Sequence, residues 1–116
     1  MKNIKNPFMG THLLAEVYNV EYDKLINPTE IANKMVQAVI KEKLTVLNCF
    51  VHQFEPHGVT VNVTLAESHF TVHTWPEKNC VAIDIFTCGD KNPRSVVKWI
   101  LQYFNSDDYK MNDYVR

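Results

Sequence analysis

The segment VTVNVTLA, residues 59–66, alternates apolar side chains with polar or small ones. A period of two residues is typical of a β-strand with one buried face. Glu-Pro-His-Gly at 55–58 predicts a turn before this strand, and segment 44–54 predicts the strand that precedes the turn. Segments 72–75 and 81–87 predict two further strands. The middle of the chain therefore predicts a mostly antiparallel sheet.

Two other segments have the spacing of amphipathic helices. Asn27-Pro28-Thr29-Glu30 predicts a helix start, because proline is tolerated in a first turn. Apolar residues then recur at three- and four-residue intervals, which predicts a helix ending near Lys43. Residues 93–104 begin with proline and place apolar residues on one stripe, which predicts a second helix. Segments 11–20 and 109–115 predict a first and a last strand.

Length and composition fit one ordinary domain. A chain of 116 residues, 46% of them hydrophobic, is long enough to form a single core. Strands placed before and after two separated helices are typical of α+β proteins. We therefore predict one domain over residues 1–116, a two-layer sandwich with a mostly antiparallel sheet and two helices on one face.

Charge and hydropathy exclude several partners. The formal net charge is −1, from 12 basic and 13 acidic residues, which does not favour nucleic acid. No run of about 18 apolar residues predicts a membrane span, and the N-terminus lacks the apolar core of a signal peptide. The cysteines, Cys49, Cys80 and Cys88, are odd in number and far apart, so neither a disulfide framework nor zinc knuckles are expected. We expect a soluble cytoplasmic protein with no nucleic-acid or membrane partner.

The sequence LAESHFTVHTWPE at 65–77, followed by FTCG at 86–89, brings together a hydroxyl, carboxylates, two imidazoles and a thiol. A core strand needs none of this chemistry. From His12 to Gly89 the chain resembles the small prokaryotic-type S-adenosylmethionine decarboxylases, enzymes that cut their own chain at Glu-Ser and convert the serine to a pyruvoyl cofactor. The resemblance implies cleavage between Glu67 and Ser68, with Ser68 as the precursor of the pyruvoyl group.

Making a pyruvoyl group from serine requires the hydroxyl to attack the preceding carbonyl. The resulting ester eliminates to dehydroalanine, which hydrolyses to the ketone. This chemistry needs a strained Glu67-Ser68 peptide, donors for the oxyanion and a base for the α-proton. The resemblance assigns His73 to processing, and imidazole titrates near neutral pH. It also implies assistance from the hydroxyl of Thr60, a position where relatives carry serine.

The finished ketone forms a Schiff base with an α-amine and takes up the electron pair that departing carbon dioxide leaves. Cys88 matches the family's proton donor, since a thiol can hold a proton at neutral pH. Metal and pyridoxal phosphate are then unnecessary. The resemblance also implies that Phe54 and Phe8 stack on the adenine and that Glu77 binds the ribose hydroxyls. The chain departs from the family at Gln53, where a basic residue is common, and in its short C-terminal tail.

Alternatives remain open at this stage. One is a pyruvoyl-dependent decarboxylase of ornithine or arginine on the same fold, and another is an unprocessed, non-catalytic paralogue that pairs with an active subunit. A metal held by His69 and His73 is not expected, because four residues along a strand span ~13 Å. Family members of this size are homodimers with active sites at the subunit interface, so the resemblance implies a homodimer of two-chain protomers.

Overall fold

The computed structural model describes residues 8–116, which form one antiparallel sheet with two helices on one face. The elements in chain order are β1 (Gly10–Val17), α1 (Pro28–Lys41), β2 (Val46–Gln53), β3 (Val59–Leu65), β4 (Ser68–Trp75), β5 (Cys80–Cys88), α2 (Pro93–Phe104) and β6 (Tyr109–Val115). Across the sheet the strands follow the order β2-β3-β4-β5-β1-β6. The predicted α+β sandwich is confirmed.

Two features of the chain bear on signal peptides and on membrane spans. The prediction that no signal peptide begins the chain rests largely on residues 1–7, which lie outside the described range. Within residues 8–116, neither helix is long and apolar enough to cross a membrane.

Asparagine followed by proline begins both helices. The side chain of Asn27 accepts a hydrogen bond from the Glu30 N–H at 3.0 Å, which satisfies one of the unpaired donors of the first turn of α1. Asn92 does the same for the Arg94 N–H at 3.0 Å at the start of α2. The predicted bounds of α2 are confirmed at both ends, whereas α1 ends at Lys41, slightly before the predicted end.

Strand ends differ more from the predictions. β1 stops at Val17 instead of continuing to residue 20, because Asn19 turns the chain with a φ of 57°. Val20 is buried, but its N–H bonds to the Asn79 carbonyl outside the strand. β4 begins at Ser68, earlier than the predicted 72, and so includes the polar residues of the Glu-Ser-His motif.

Burial alternates along the central strands. Val59, Val61, Val63 and Leu65 of β3 are all buried, which confirms the predicted half-buried strand. They pack with alternate residues of β1, β4 and β5 against the apolar stripes of α1 and α2. The opposite side of the sheet, here called the open face, has no helix over it in the described chain. It carries side chains of intermediate exposure, among them His12, Thr60, His69, His73, Asp84 and Phe86.

Gly10 lies where β1 comes closest to β5. A Cβ at this position would meet the Thr87 carbonyl oxygen at 2.2 Å and the Cys88 Cα at 2.8 Å. We therefore expect Gly10→Ala to push the two strands apart and to lower the free energy of unfolding by about 1–3 kcal/mol, the usual cost of overpacking. Urea denaturation measures this. Gly58→Ala is the matched control, because its nearest neighbour would lie at an ordinary 3.4 Å; equal losses in both variants would contradict the prediction.

Candidate active site

Ser68 opens β4 directly after a two-residue turn. It pairs with Leu65 of β3 on one side and with Thr87 of β5 on the other. Its backbone has a φ of 153°, which side-chain-bearing residues rarely adopt. Such a conformation costs about 1–3 kcal/mol and persists only where the surrounding structure holds it. Two flanking strands provide that restraint at the predicted cleavage point.

The carbonyl of Glu67, which the Ser68 hydroxyl attacks in the predicted cleavage, already accepts a hydrogen bond. The donor is the backbone N–H of Cys88, at 3.0 Å. A backbone donor aimed at a carbonyl oxygen stabilises the negative charge that develops there during attack. The turn thus combines a strained serine with a built-in oxyanion donor.

The carboxylate of Glu67 points to a different partner. The Thr45 N–H donates to Oε1 at 3.0 Å and the Thr45 hydroxyl donates to Oε2 at 3.4 Å. The backbone hydrogen bond from Thr45 is the main reason that the pKa of Glu67 lies below its ordinary value. Because the Ala66 N–H also donates to the Thr45 carbonyl, at 2.9 Å, Thr45 fixes the turn that carries the Glu67-Ser68 bond.

Cys88 is the last residue of β5, and its free thiol side chain is exposed. It directly follows Thr87, the cross-strand partner of Ser68, so the predicted proton donor lies beside the predicted cofactor precursor. A groove of about 400 Å³ opens next to it, lined by Phe8, Thr11 and Gly89 among others. Three of the sequence-predicted elements therefore lie together at this end of the sheet, which we call the cleavage end: the Glu67-Ser68 bond, Cys88 and Phe8.

The other predicted residues lie at the opposite end. Thr60 and His73 face each other across β3 and β4, and the Thr60 hydroxyl lies 2.9 Å from His73 Nδ1. Both line a pocket of about 300 Å³ together with Phe54 and Glu77. We call this the pocket end. It contains the predicted processing histidine and two of the three predicted substrate contacts.

Two further residues of the pocket end were not predicted as site residues. His57 lines the pocket, and its Nδ1 is buried without a hydrogen-bond partner among the described residues. Trp75 is 41% exposed and lines the same pocket. Trp75 lies within the motif at 65–77, and this position could have identified it as a site residue. His57 lies in the predicted turn at 55–58, where the sequence carries no such signal.

The two ends do not meet within one chain. Ser68 and His73 lie on the same strand, and five residues of β-strand span about 16 Å. That distance is too long for the His73 imidazole to take a proton from Ser68 of its own chain. Phe8 and Phe54, both expected on the adenine, are divided between the ends in the same way.

Comparison with known proteins places this arrangement in a family. Residues 11–116 match the family model of S-adenosylmethionine decarboxylase. The chain is 41% identical over 104 residues to the S-adenosylmethionine decarboxylase proenzyme of Archaeoglobus fulgidus, a match that covers 88% of this chain and 92% of that protein. This chain belongs to the S-adenosylmethionine decarboxylase family. The corresponding proenzyme of Syntrophomonas wolfei is 34% identical over 109 residues, covering 93% and 86% of the two chains.

A solved structure agrees with the sequence matches. The crystal structure of the adenosylmethionine decarboxylase from Aquifex aeolicus superposes with a TM-score of 0.88 at 34% identity, over 94% of this chain and 91% of that one. Membership of the S-adenosylmethionine decarboxylase family, predicted from the Glu-Ser-His and Phe-Thr-Cys-Gly motifs, is confirmed. The family match includes every predicted site residue except Phe8, which precedes residue 11.

Proposed function

We propose that this chain cuts itself between Glu67 and Ser68 and then decarboxylates S-adenosylmethionine, giving the aminopropyl donor for spermidine synthesis. The observation that supports this most directly is the hydrogen bond from the Cys88 N–H to the Glu67 carbonyl, beside a strained Ser68. Family membership supports the same activity. The ornithine, arginine and non-catalytic alternatives have no comparable observation in their favour.

Cleavage begins when the Ser68 hydroxyl attacks the Glu67 carbonyl carbon. Negative charge then collects on the carbonyl oxygen, which the Cys88 N–H already contacts. The Glu67–Ser68 C–N bond breaks, so that Glu67 is left esterified to the Ser68 oxygen. Removal of the Ser68 α-proton by a base expels the Glu67 carboxylate. Water then converts the dehydroalanine to a ketone and releases ammonia, which leaves fragments 1–67 and 68–116.

The surroundings of Ser68 fit a pyruvoyl group. The group is made from Ser68 itself, and the neighbouring Cys88 side chain is exposed. Once formed, it supplies a carbonyl that takes the substrate's α-amine and accepts the electron pair left by carbon dioxide. The Cys88 thiol then delivers the proton that replaces the carboxyl group.

The pocket end suits the nucleoside half of the substrate. Phe54 and Trp75 present aromatic surface, 50% and 41% exposed, on which a purine can stack. Glu77 offers a carboxylate to accept hydrogen bonds from the ribose hydroxyls.

A homodimer is part of the proposal, because one chain separates groups that have to act together. If two copies pack through their open faces about a twofold axis that lies between the sheets and runs perpendicular to the strands, the cleavage end of one copy faces the pocket end of the other. His73 and Thr60 of one copy then reach Ser68 of the second, and Phe8 and Phe54 reach one adenine from opposite sides. Each dimer holds two such composite sites.

A reducing compartment fits the cysteines. Cys49, Cys80 and Cys88 are all free thiols, and the proposed mechanism needs Cys88 to stay reduced. We therefore place the protein in the cytoplasm, as the sequence also suggested.

Intact mass under denaturing conditions tests the proposal first. The expected result is two fragments, 1–67 and 68–116, of which the second lacks a free amino terminus. Carbon dioxide release is then measured from S-adenosylmethionine, ornithine and arginine. Release from ornithine or arginine alone would replace the proposed substrate, and a chain that stays whole after long incubation would favour the non-catalytic paralogue.

Replacing Cys88 with alanine separates the two proposed roles of this residue. The backbone N–H remains, so cleavage at Glu67-Ser68 is expected to go to completion. The thiol is lost, so decarboxylation of S-adenosylmethionine is expected to fall by about 10²–10⁴-fold, the usual contribution of a positioned proton donor. Mass spectrometry and carbon dioxide release report the two outcomes, with Cys49→Ala as the matched control. Full decarboxylase activity in Cys88→Ala would remove the thiol from the mechanism.

A further inference from the structure

A second cluster of chemically active side chains lies on the open face, beside the cleavage end, where His69 directly follows Ser68. It consists of His12 on β1, Asp84 on β5 and His69 on β4, which are three adjacent strands. His12 and His69 are the cross-strand partners of Phe86 on the two neighbouring strands. Asp84 lies two residues before Phe86 and faces the same way. The proposed decarboxylation uses none of these three side chains.

The two histidine rings converge on the carboxylate. Strands on either side of β5 are about 10 Å apart, yet the ring centroids of His12 and His69 are only 6.0 Å apart. Both rings contact the Phe86 ring, with centroid distances of 5.7 Å and 6.2 Å. The Phe86 ring thus packs against both imidazole rings and limits their rotation.

Their polar atoms lie close to the spacing of a metal site. Nε2 of His12 is 2.6 Å and Nε2 of His69 is 3.5 Å from Oδ1 of Asp84. All three atoms lie within 4.8 Å of one another. Ligand atoms bonded at about 2.0–2.2 Å to one ion are roughly 3–3.5 Å apart, so small side-chain rotations convert this cluster into a coordination site.

We propose that His12, His69 and Asp84 bind a divalent first-row transition-metal ion. Two imidazole nitrogens and one carboxylate oxygen suit Zn²⁺, Co²⁺, Ni²⁺ or Fe²⁺ better than Mg²⁺ or Ca²⁺, which prefer oxygen ligands alone. In a single chain the side chains are 22%, 42% and 41% exposed. In the proposed dimer they face the second sheet, so the ion would lie between the two copies. None of the three side chains has a role in the proposed decarboxylation, so failure of the metal site would leave that proposal intact.

From the sequence alone, His73 was the only partner weighed for His69 as a metal ligand, and a metal held by that pair was not expected. His73 is four residues along the same strand and lies beyond the reach of a shared ion. Pairing of β4 with β5, and of β5 with β1, brings His12 and Asp84 to His69 instead.

Arg116 competes with the ion. Its Nη1 lies 3.3 Å from Nδ1 of His12, and its guanidinium lies over the Phe86 ring at 5.1 Å. While Arg116 donates to Nδ1, the His12 proton resides on Nε2 and is directed at Asp84. Metal binding through Nε2 moves this proton to Nδ1 and displaces Arg116. The ion therefore has to compete with a hydrogen bond that is already formed.

Co²⁺ binding to the full-length protein tests the proposal. After chelator treatment, the purified protein is titrated with Co²⁺ by calorimetry and absorption spectroscopy, since sulfur ligands give an intense near-ultraviolet band that nitrogen and oxygen ligands lack. One ion per chain without that band is expected. His12→Gln, His69→Gln and Asp84→Asn are each expected to weaken binding at least about tenfold, while the exposed His52→Gln is expected to leave it unchanged.

Two results would overturn the assignment. One is the absence of stoichiometric binding, and the other is binding that survives the three substitutions or shows the sulfur band of a cysteine site. Circular dichroism and thermal unfolding in the presence of chelator establish that each variant is folded. As a second readout, Co²⁺ is expected to raise the melting temperature of the wild-type protein and not that of His69→Gln, because only the wild type has the intact site.

Discussion

The Ser68→Ala variant is expected to remain one uncut chain with no measurable decarboxylase activity. Alanine removes the hydroxyl that attacks Glu67 and so prevents both the cleavage and the formation of the pyruvoyl carbonyl. The Cys88 N–H still contacts the Glu67 carbonyl in this variant, but no nucleophile is present to use it. Intact mass and carbon dioxide release from S-adenosylmethionine measure the two losses.

The loss has to be separated from misfolding. Alanine keeps a Cβ at the position with φ of 153°, so the backbone strain is the same in both proteins and the variant is expected to fold. Ser95→Ala, on α2, is the matched control and is expected to be cut normally, because Ser95 lies outside the strands that carry the cleavage point. Decarboxylase activity in a folded Ser68→Ala protein would rule out the pyruvoyl mechanism.

Local signals predicted the parts of the fold that depend on nearby residues. The alternation of 59–66 predicted β3, and the prolines at 28 and 93 predicted both helix starts, because these features act within one turn or one strand. The end of β1 was wrong because Val20 is apolar and buried without belonging to the strand. Burial of this kind depends on packing of distant segments, which an apolar pattern alone does not distinguish from a strand.

The candidate site was likewise predictable only in part. The resemblance of the motifs to the S-adenosylmethionine decarboxylase family selected Ser68, His73 and Cys88 as candidates. Their separation followed only once β4 was seen to begin at Ser68, which places His73 at the far end of a continuous strand. The contributions of His57 to the pocket and of Asp84 to the histidine cluster depend on strand order and loop position, and neither can be obtained from spacing along the chain.

Mixing two inactive variants is expected to restore cleavage. Ser68→Ala and His73→Ala, each carrying a different tag, are expected to stay uncut when expressed alone. Co-expressed, they form mixed dimers in which Ser68 of the His73→Ala chain meets His73 of the Ser68→Ala chain. With random pairing, about half of the His73→Ala chains are expected to be cut. Intact mass of the two tagged chains gives the fraction directly.

Only an arrangement with residues from both copies produces this result. If His73 acted on Ser68 of its own chain, no mixture could restore cutting, because no single chain would carry both groups. The matched control pairs His73→Ala with the Ser68→Ala/His73→Ala double variant, which removes the last intact His73 and should leave every chain whole. Cutting in that control would show that His73 is not the required base. A mixed dimer that forms but stays whole would instead exclude the composite site. A route within one chain is already closed, because about 16 Å along β4 separates His73 from Ser68.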